Sequence, residues 1–152
     1  MSDYDRLRPY TEIERCECDE ITGLFLVDIL TVNPIHCLTC KNEIDPEVLD
    51  LSVQMVDKIS DWLRVHSGLN SLWLDSGEYE SWAKEQLSNK NGQVNRNGME
   101  IVEELSKIYQ AYYWWFNEDD KHEPGVCPLC SKPLTNKLGH GNGECTPCKI
   151  II

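Results

Sequence analysis

Cys127-Pro-Leu-Cys130 and Cys145-Thr-Pro-Cys148 are the two stretches around which the fold of this chain is organised. Each is a CxxC pair, and fourteen residues separate the two pairs. Four thiolates at this spacing can surround one metal ion tetrahedrally, and Zn²⁺ is the usual occupant of such a site. A proline inside each pair fixes one backbone dihedral of the tight turn. The pattern predicts a zinc ribbon at the C-terminal end of the sequence.

Cys16-Glu-Cys18 and Cys37-Leu-Thr-Cys40 form a second set of pairs, with eighteen residues between them. A CxC pair is less usual than CxxC, but the four thiols together predict a second four-cysteine site. Two alternatives stay open: Cys37 and Cys40 could share ligands with the C-terminal ribbon, or His36 could replace one sulfur. Without a secretion signal, eight cysteines are better interpreted as metal ligands than as disulfides. The expected cofactor is Zn²⁺ in two structural sites.

The chain is strongly acidic, with a formal net charge of −12 over 152 residues. Each zinc ion held by four thiolates adds −2, so two such sites bring the charge to about −16. A protein with this much negative charge repels nucleic acids and anionic membranes. Residues 127–152 are the exception, with three lysines and one glutamate. We therefore expect a cytoplasmic protein with a basic protein partner and no membrane contact, and nucleic-acid binding only through the C-terminal ribbon.

Apolar periodicity predicts three helices between the two cysteine sets. Asp45-Pro46-Glu47 is typical of a helix start. The predicted elements are a strand within residues 21–32, a helix from Pro46 to an interruption at Ser67-Gly68 or Asn70, a helix from about Ser76 to Leu87, a polar loop over 88–98 and a helix from Met99 to about Asn117. The predicted fold class is α+β, a three-helix middle flanked by two small zinc-ribbon-like β units. The corresponding segments are 1–45, 46–123 and 124–152, expected to fold as one unit.

The sequence does not favour an enzyme, because a closed four-sulfur shell leaves no position for water or substrate at the metal. Among the histidines His66 is the best placed for chemistry, although a helix-terminal histidine whose hydrogen bonding is satisfied is the simpler interpretation. A hydrolase that combines His66 with Asp75 or Glu78 is a further hypothesis.

Aromatic residues crowd the end of the predicted third helix, from Tyr109 to Phe116. Consecutive helical positions cannot all point inward, so this surface is either covered, by Trp62, Trp73 and Trp82, or exposed as a protein-binding patch. Acidic and aromatic residues that could contact a partner occur in and near these helices. They are Asp75, Glu78, Tyr79, Glu80, Trp82, Trp114, Glu118, Asp119 and Asp120.

Three segments carry a resemblance: residues 72–83 (LWLDSGEYESWA), 94–98 (VNRNG) and 112–116 (YYWWF), flanked by CxxC pairs. Over about residues 35–150 the chain resembles small bacterial zinc-ribbon proteins that have no assigned activity. The resemblance implies a bacterial, cytoplasmic, zinc-binding protein and no particular mechanism.

Two functions are therefore expected in different classes. The first is a non-enzymatic, zinc-stabilised interaction module, most concretely an inhibitor or immunity-type protein that blocks a basic partner such as a toxin. The alternative is a nucleic-acid-binding zinc ribbon acting in transcription or RNA metabolism, with contacts from Lys132, Lys137, His140 and Lys149.

Overall fold

The computed structural model describes residues 2–9, 13–29, 31–117 and 125–152. Its helices are a 3-10 helix at Asp3–Leu7, α1 at Val53–Asp75, α2 at Glu80–Ser88 and α3 at Gln93–Leu105. Its strands are β1 at Gly23–Leu26, β2 at Ile35–Cys37, β3 at Gln110–Trp114, β4 at Glu144–Cys145 and β5 at Ile150–Ile151. The predicted mixture of α and β structure is confirmed.

All five strands belong to one sheet in the order β2-β1-β3-β5-β4. β1 and β5 run parallel to β3, whereas β2 and β4 pair antiparallel with β1 and β5 at the two edges. We call the segment around each cysteine set a cysteine unit. The first unit contains β1 and β2, the second contains β4 and β5, and β3 joins the two pairs of strands. The expectation of two β units separated by helices is wrong in this respect, because a strand from the predicted helical middle makes one continuous sheet.

The predicted third helix is wrong beyond Leu105, since residues 110–114 form the central strand. Alternation along β3 sends Tyr113 towards the helices and Tyr112 to the opposite face, where Phe25 and Ile151 pack against it. Both faces are covered, so neighbouring aromatic side chains are buried together. A strand between two layers can do this, and a helix on one layer cannot.

Helix α1 begins later and ends later than its sequence signals indicate. Ser52 caps it by accepting a hydrogen bond from the Met55 N–H (3.1 Å), whereas Asp45 accepts from the Glu47 N–H (2.9 Å) and starts only a turn. The helix continues through the predicted interruption at Ser67-Gly68. Gly68 lies on an exposed face, and its unfavourable helix propensity is outweighed by the buried residues on either side of it.

Helix α3 begins inside the predicted polar loop, at Gln93. Asn95 is buried, donates to the carbonyl of Leu87 (2.9 Å) and accepts from the Tyr113 hydroxyl (2.8 Å). A Cβ at Gly98 would lie 2.9 Å from Trp62 Nε1, so the missing side chain allows α3 to approach the core. The loop prediction for residues 93–98 is wrong, because the polar and small residues here pack against the core.

Candidate functional site

The first cysteine set forms one compact group. The Sγ atoms of Cys16, Cys18, Cys37 and Cys40 all lie within 4.8 Å of one another, and those of Cys18 and Cys37 are 4.0 Å apart. A tetrahedral ion with Zn–S bonds of about 2.3 Å requires sulfurs about 3.8 Å apart. The group therefore has the dimensions of a four-thiolate metal site.

The second set has the same geometry. The Sγ atoms of Cys127, Cys130, Cys145 and Cys148 also lie within 4.8 Å, and Cys130 and Cys145 are 3.7 Å apart. The prediction of two separate four-cysteine groups is confirmed, and the arrangement with ligands shared between the sets is wrong. The idea that His36 replaces a sulfur is also wrong, because four cysteines complete its group.

Backbone geometry holds each CxxC pair in position. The residues that follow the three pairs, Lys41, Ser131 and Lys149, all have positive φ, between 59 and 68°. The N–H groups of Lys41 and Ser131 donate to the carbonyls of Cys37 and Cys127, each at 2.9 Å. A residue in the left-handed conformation reverses the chain direction after each pair, so that both sulfurs face one point.

The thiols differ in acidity within each group. At Cys37, burial opposes ionisation, but N–H groups of Cys40 and Thr39 lower the pKa to about 7. A backbone hydrogen bond from Lys132 lowers the pKa of Cys130 to about 7. Burial and neighbouring thiols raise the pKa of Cys16 to about 12, and the same causes raise the pKa of Cys148. Four adjacent thiolates repel one another, so each group needs a cation to ionise fully.

A cavity of about 510 Å³ lies beside both cysteine units. Its walls come from β1 and β3, the second half of α1, and both units. The lining residues are Phe25, Val27, Asp28, Ile29, His36, Lys41, His66, Asn70, Trp73, Leu74, Trp114, Trp115, Phe116, Asn117, His140 and Gly141. We call this cavity the aromatic pocket. The sequence pointed to several of these residues singly, but none of the spacings brings them together.

Asp28 and His66 form a buried pair in the wall of the aromatic pocket. His66 Nδ1 donates to Asp28 Oδ2 at 2.9 Å, and the two side chains are 7% and 0% exposed. Ser67 Oγ and Asn70 Nδ2 donate to the same oxygen, each at 3.0 Å. The hydrogen bonding of His66 is satisfied, but the prediction that it lies at a helix end is wrong, because it lies within α1 and its partner Asp28 is 38 positions away in the sequence. Sequence reasoning missed the Asp28 carboxylate, and the available signal was a single acidic residue within the otherwise apolar run of residues 24–30.

The three residues of the hydrolase hypothesis, His66, Asp75 and Glu78, do not converge in one pocket. Asp75 is nine positions from His66 on the same helix, which separates them by about 13 Å along the axis. Asp75 and Glu78 are both exposed and do not line the aromatic pocket.

The candidate partner contacts fall into separate places. Asp75, Glu78, Tyr79 and Trp82 are exposed in the turn between α1 and α2 and on α2 itself, where Glu80 is half-buried. Trp114 lies on β3 and lines the aromatic pocket. Glu118, Asp119 and Asp120 lie outside the described residues.

Only two of the tryptophans expected to cover the aromatic segment do so. Trp62 packs edge-on against Tyr113 with ring centroids 5.8 Å apart, and Trp73 packs against Phe116 at 4.8 Å. Trp82 is 52% exposed instead.

The C-terminal residues suggested for nucleic-acid contact are only partly available. Lys132 and Lys137 are exposed and Lys149 is half-buried. His140 is 3% exposed, and its Nε2 donates to the carbonyl of Leu38 at 2.7 Å. This histidine joins the C-terminal unit to the turn between Cys37 and Cys40, and it is buried.

Comparisons with protein-family models, with curated proteins and with solved structures give no match for this chain. Among the described residues, no helix combines the length and the apolar character needed to cross a bilayer.

Proposed function

We propose that this protein is a non-enzymatic, zinc-stabilised interaction module that binds and blocks a basic protein, as an inhibitor or immunity protein does. The observation that carries the proposal is the exposure of Tyr79 (51%) and Trp82 (52%) beside exposed acidic residues. Large aromatic side chains often dominate the binding energy of protein interfaces. We call Asp75, Glu78, Tyr79 and Trp82 the acidic aromatic turn.

The acidic aromatic turn is held in one conformation before any partner arrives. Ser76 Oγ accepts from the Tyr79 N–H (3.1 Å), and the Gly77 N–H donates to Glu80 Oε1 (3.1 Å). Gly77 has a φ of 67°, which suits glycine. A preformed turn loses less conformational entropy on binding than a mobile loop does.

Charge selects the class of partner. The exposed carboxylates of Asp75 and Glu78 add locally to a chain of net charge −12. Such a field accelerates encounter with a basic protein and opposes binding to a polyanion.

Zn²⁺ in both cysteine groups would be structural. Sulfur-only groups of four select zinc or iron–sulfur chemistry, and a closed tetrahedral zinc site has no position for a reacting molecule. In this proposal the metals hold the sheet together, and binding takes place on the helical side.

The test is affinity capture from a lysate of the producing organism, with wild type and a Tyr79→Ser/Trp82→Ser double variant as baits. We expect wild type to retain a protein of basic isoelectric point whose activity is inhibited by the purified bait. The double variant should lose that protein, because both aromatic anchors are gone. Ile108→Ser is the matched control, since Ile108 is 79% exposed and lies outside the turn.

Three results would refute the proposal: capture of no basic protein, equal retention by the double variant, or recovery of nucleic acid alone. In the last case, steeply salt-dependent binding would indicate the zinc-ribbon alternative, with Lys132 and Lys137 as contacts.

A further inference from the structure

The aromatic pocket lies at the carboxyl ends of the parallel strands β1 and β3. Asp28 lies two residues after the end of β1, and Phe116 and Asn117 lie two and three residues after the end of β3. In open sheets with parallel strands, ligands commonly bind outside these strand ends. The volume of about 510 Å³ is within the usual range for small-molecule sites.

Flat aromatic surfaces make up much of the pocket. The ring of Phe25 packs against Trp114 and against His140, in both cases with centroids 5.3 Å apart. On the other side Trp73 and Phe116 meet edge to face at 4.8 Å. Because the rings brace one another, their orientation is fixed before a ligand enters. A planar ligand can stack on such walls, and a puckered one makes poorer contact.

The polar groups of the pocket are mainly acceptors. His36 Nδ1 lies 3.0 Å from the carbonyl of Lys41, and His140 Nε2 lies 2.7 Å from the carbonyl of Leu38. A carbonyl only accepts, so each of these rings donates its N–H there, and in its neutral form it has an acceptor nitrogen left over. For His36 that atom, Nε2, is buried and has no hydrogen-bond partner among the described residues.

The Asp28–His66 pair also leaves an acceptor nitrogen on its histidine. His66 donates through Nδ1 to the Asp28 carboxylate, which leaves Nε2 as the acceptor of the neutral ring. Among the described lining residues, Lys41 alone carries an ammonium group. With a net charge of −12 on the chain, the pocket suits a ligand that brings donors and no negative charge.

We infer that the aromatic pocket binds a small uncharged or cationic heteroaromatic molecule with N–H donors, of the class of nucleobases, nucleosides and pyridine carboxamides. Stacking on the half-buried rings of Trp114 and Phe116 provides the apolar contact, and the histidine acceptors orient the donors. The inference is independent of partner binding, because Tyr79 and Trp82 do not line the pocket.

Two matched probe pairs test the inference on the metal-loaded protein by titration of tryptophan fluorescence and NMR shifts. Nicotinamide and cyclohexanecarboxamide share the amide and differ in ring planarity. Adenosine and adenosine 5′-monophosphate share the base and differ in charge. We expect saturable one-to-one binding of nicotinamide or adenosine, with the matched analogue roughly tenfold weaker. Absence of saturable binding by both, or equal binding of the matched analogue, overturns the inference.

Variants then locate the site. Phe116→Leu keeps an apolar side chain and removes the flat wall, so binding should weaken about fivefold. Asn97→Ala, on α3 and outside the pocket, is the control and should bind as wild type does. If Phe116→Leu loses metal or folds poorly, Leu74→Trp decides instead, because Leu74 is 57% exposed at the mouth of the pocket and a larger ring there should block entry. Unchanged binding in a folded variant of either kind overturns the assignment.

Discussion

The helical part of the molecule and the two cysteine units are held together by different physics. Helix α1 is 23 residues long and carries six buried residues. By contrast, β4 and β5 are two residues each. Burial of apolar area stabilises the helical part directly, whereas strands this short cannot persist without another constraint. We expect the cysteine groups to supply that constraint once each holds a metal ion.

The buried polar side chains also differ between the helical part and the C-terminal unit. Buried Asn95 joins α3 to Tyr113 through neutral hydrogen bonds. In the C-terminal unit, buried Glu144 has one oxygen, Oε1, that accepts from Thr135 Oγ1 and from the N–H groups of Lys137 and Leu138. A carboxylate thus organises a loop that has few apolar contacts of its own.

Removal of metal should have the largest effect. A four-cysteine zinc site contributes on the order of 10 kcal/mol of apparent binding free energy, so chelation should unfold both units and separate β3 from its neighbours. Metal analysis should find two zinc ions per chain before treatment, and circular dichroism with tryptophan fluorescence should follow the loss. Acidification should act in the same direction, because protons compete with the metal for thiolates. A chelated protein with an unchanged melting temperature would show that metal in the cysteine groups does not stabilise the fold.

Glu144→Ala should be next, with a loss of about 3 kcal/mol in the free energy of unfolding, because it removes a buried carboxylate that accepts three part-buried hydrogen bonds. Urea denaturation of the metal-loaded protein measures it. Glu100→Ala, an exposed acid on α3, is the control and should change stability by less than about 0.5 kcal/mol. Equal effects of the two substitutions would show that the carboxylate does not organise the loop.

Gly98→Ala tests the packed helical part and should cost about 2 kcal/mol. The new methyl group would lie 2.7 Å from Tyr113 Cζ and 2.9 Å from Trp62 Nε1, which forces α3 away from the core. Thermal unfolding followed at the helical signal is the measurement. Zinc content should stay at the wild-type value, since the cysteine groups are untouched, and metal loss would mean that the two parts are coupled.

Gly68→Ala should have the smallest effect and the opposite sign. Nothing lies within 4 Å of a Cβ at this position on α1, so alanine should raise the free energy of unfolding by about 0.5 to 1 kcal/mol through helix propensity. The same denaturation experiment detects it. Destabilisation would indicate that α1 needs the glycine for a bend or a contact.

Much of the candidate site could be predicted from the sequence, and the reason is locality. Each cysteine pair is set by a turn of three or four residues, so spacing alone predicted the two groups of four cysteines that the structure contains. The capping of α1 was less predictable, because Asp45-Pro46 and Ser52 are both good start signals. Asp45 is engaged by Arg8 across the fold (3.0 Å), an interaction that no local pattern contains.

The sequence by itself determined the two cysteine groups, the acidic charge and the mixed fold class, because these depend on composition and on contacts close along the chain. Only the tertiary structure decided that residues 110–114 are a strand, since a crowded aromatic run suits whichever element has both faces covered. It also brought Asp28 to His66, 38 positions away, and His36 to the same pocket as His140. Such pairings join residues far apart in the sequence, so no local pattern contains them.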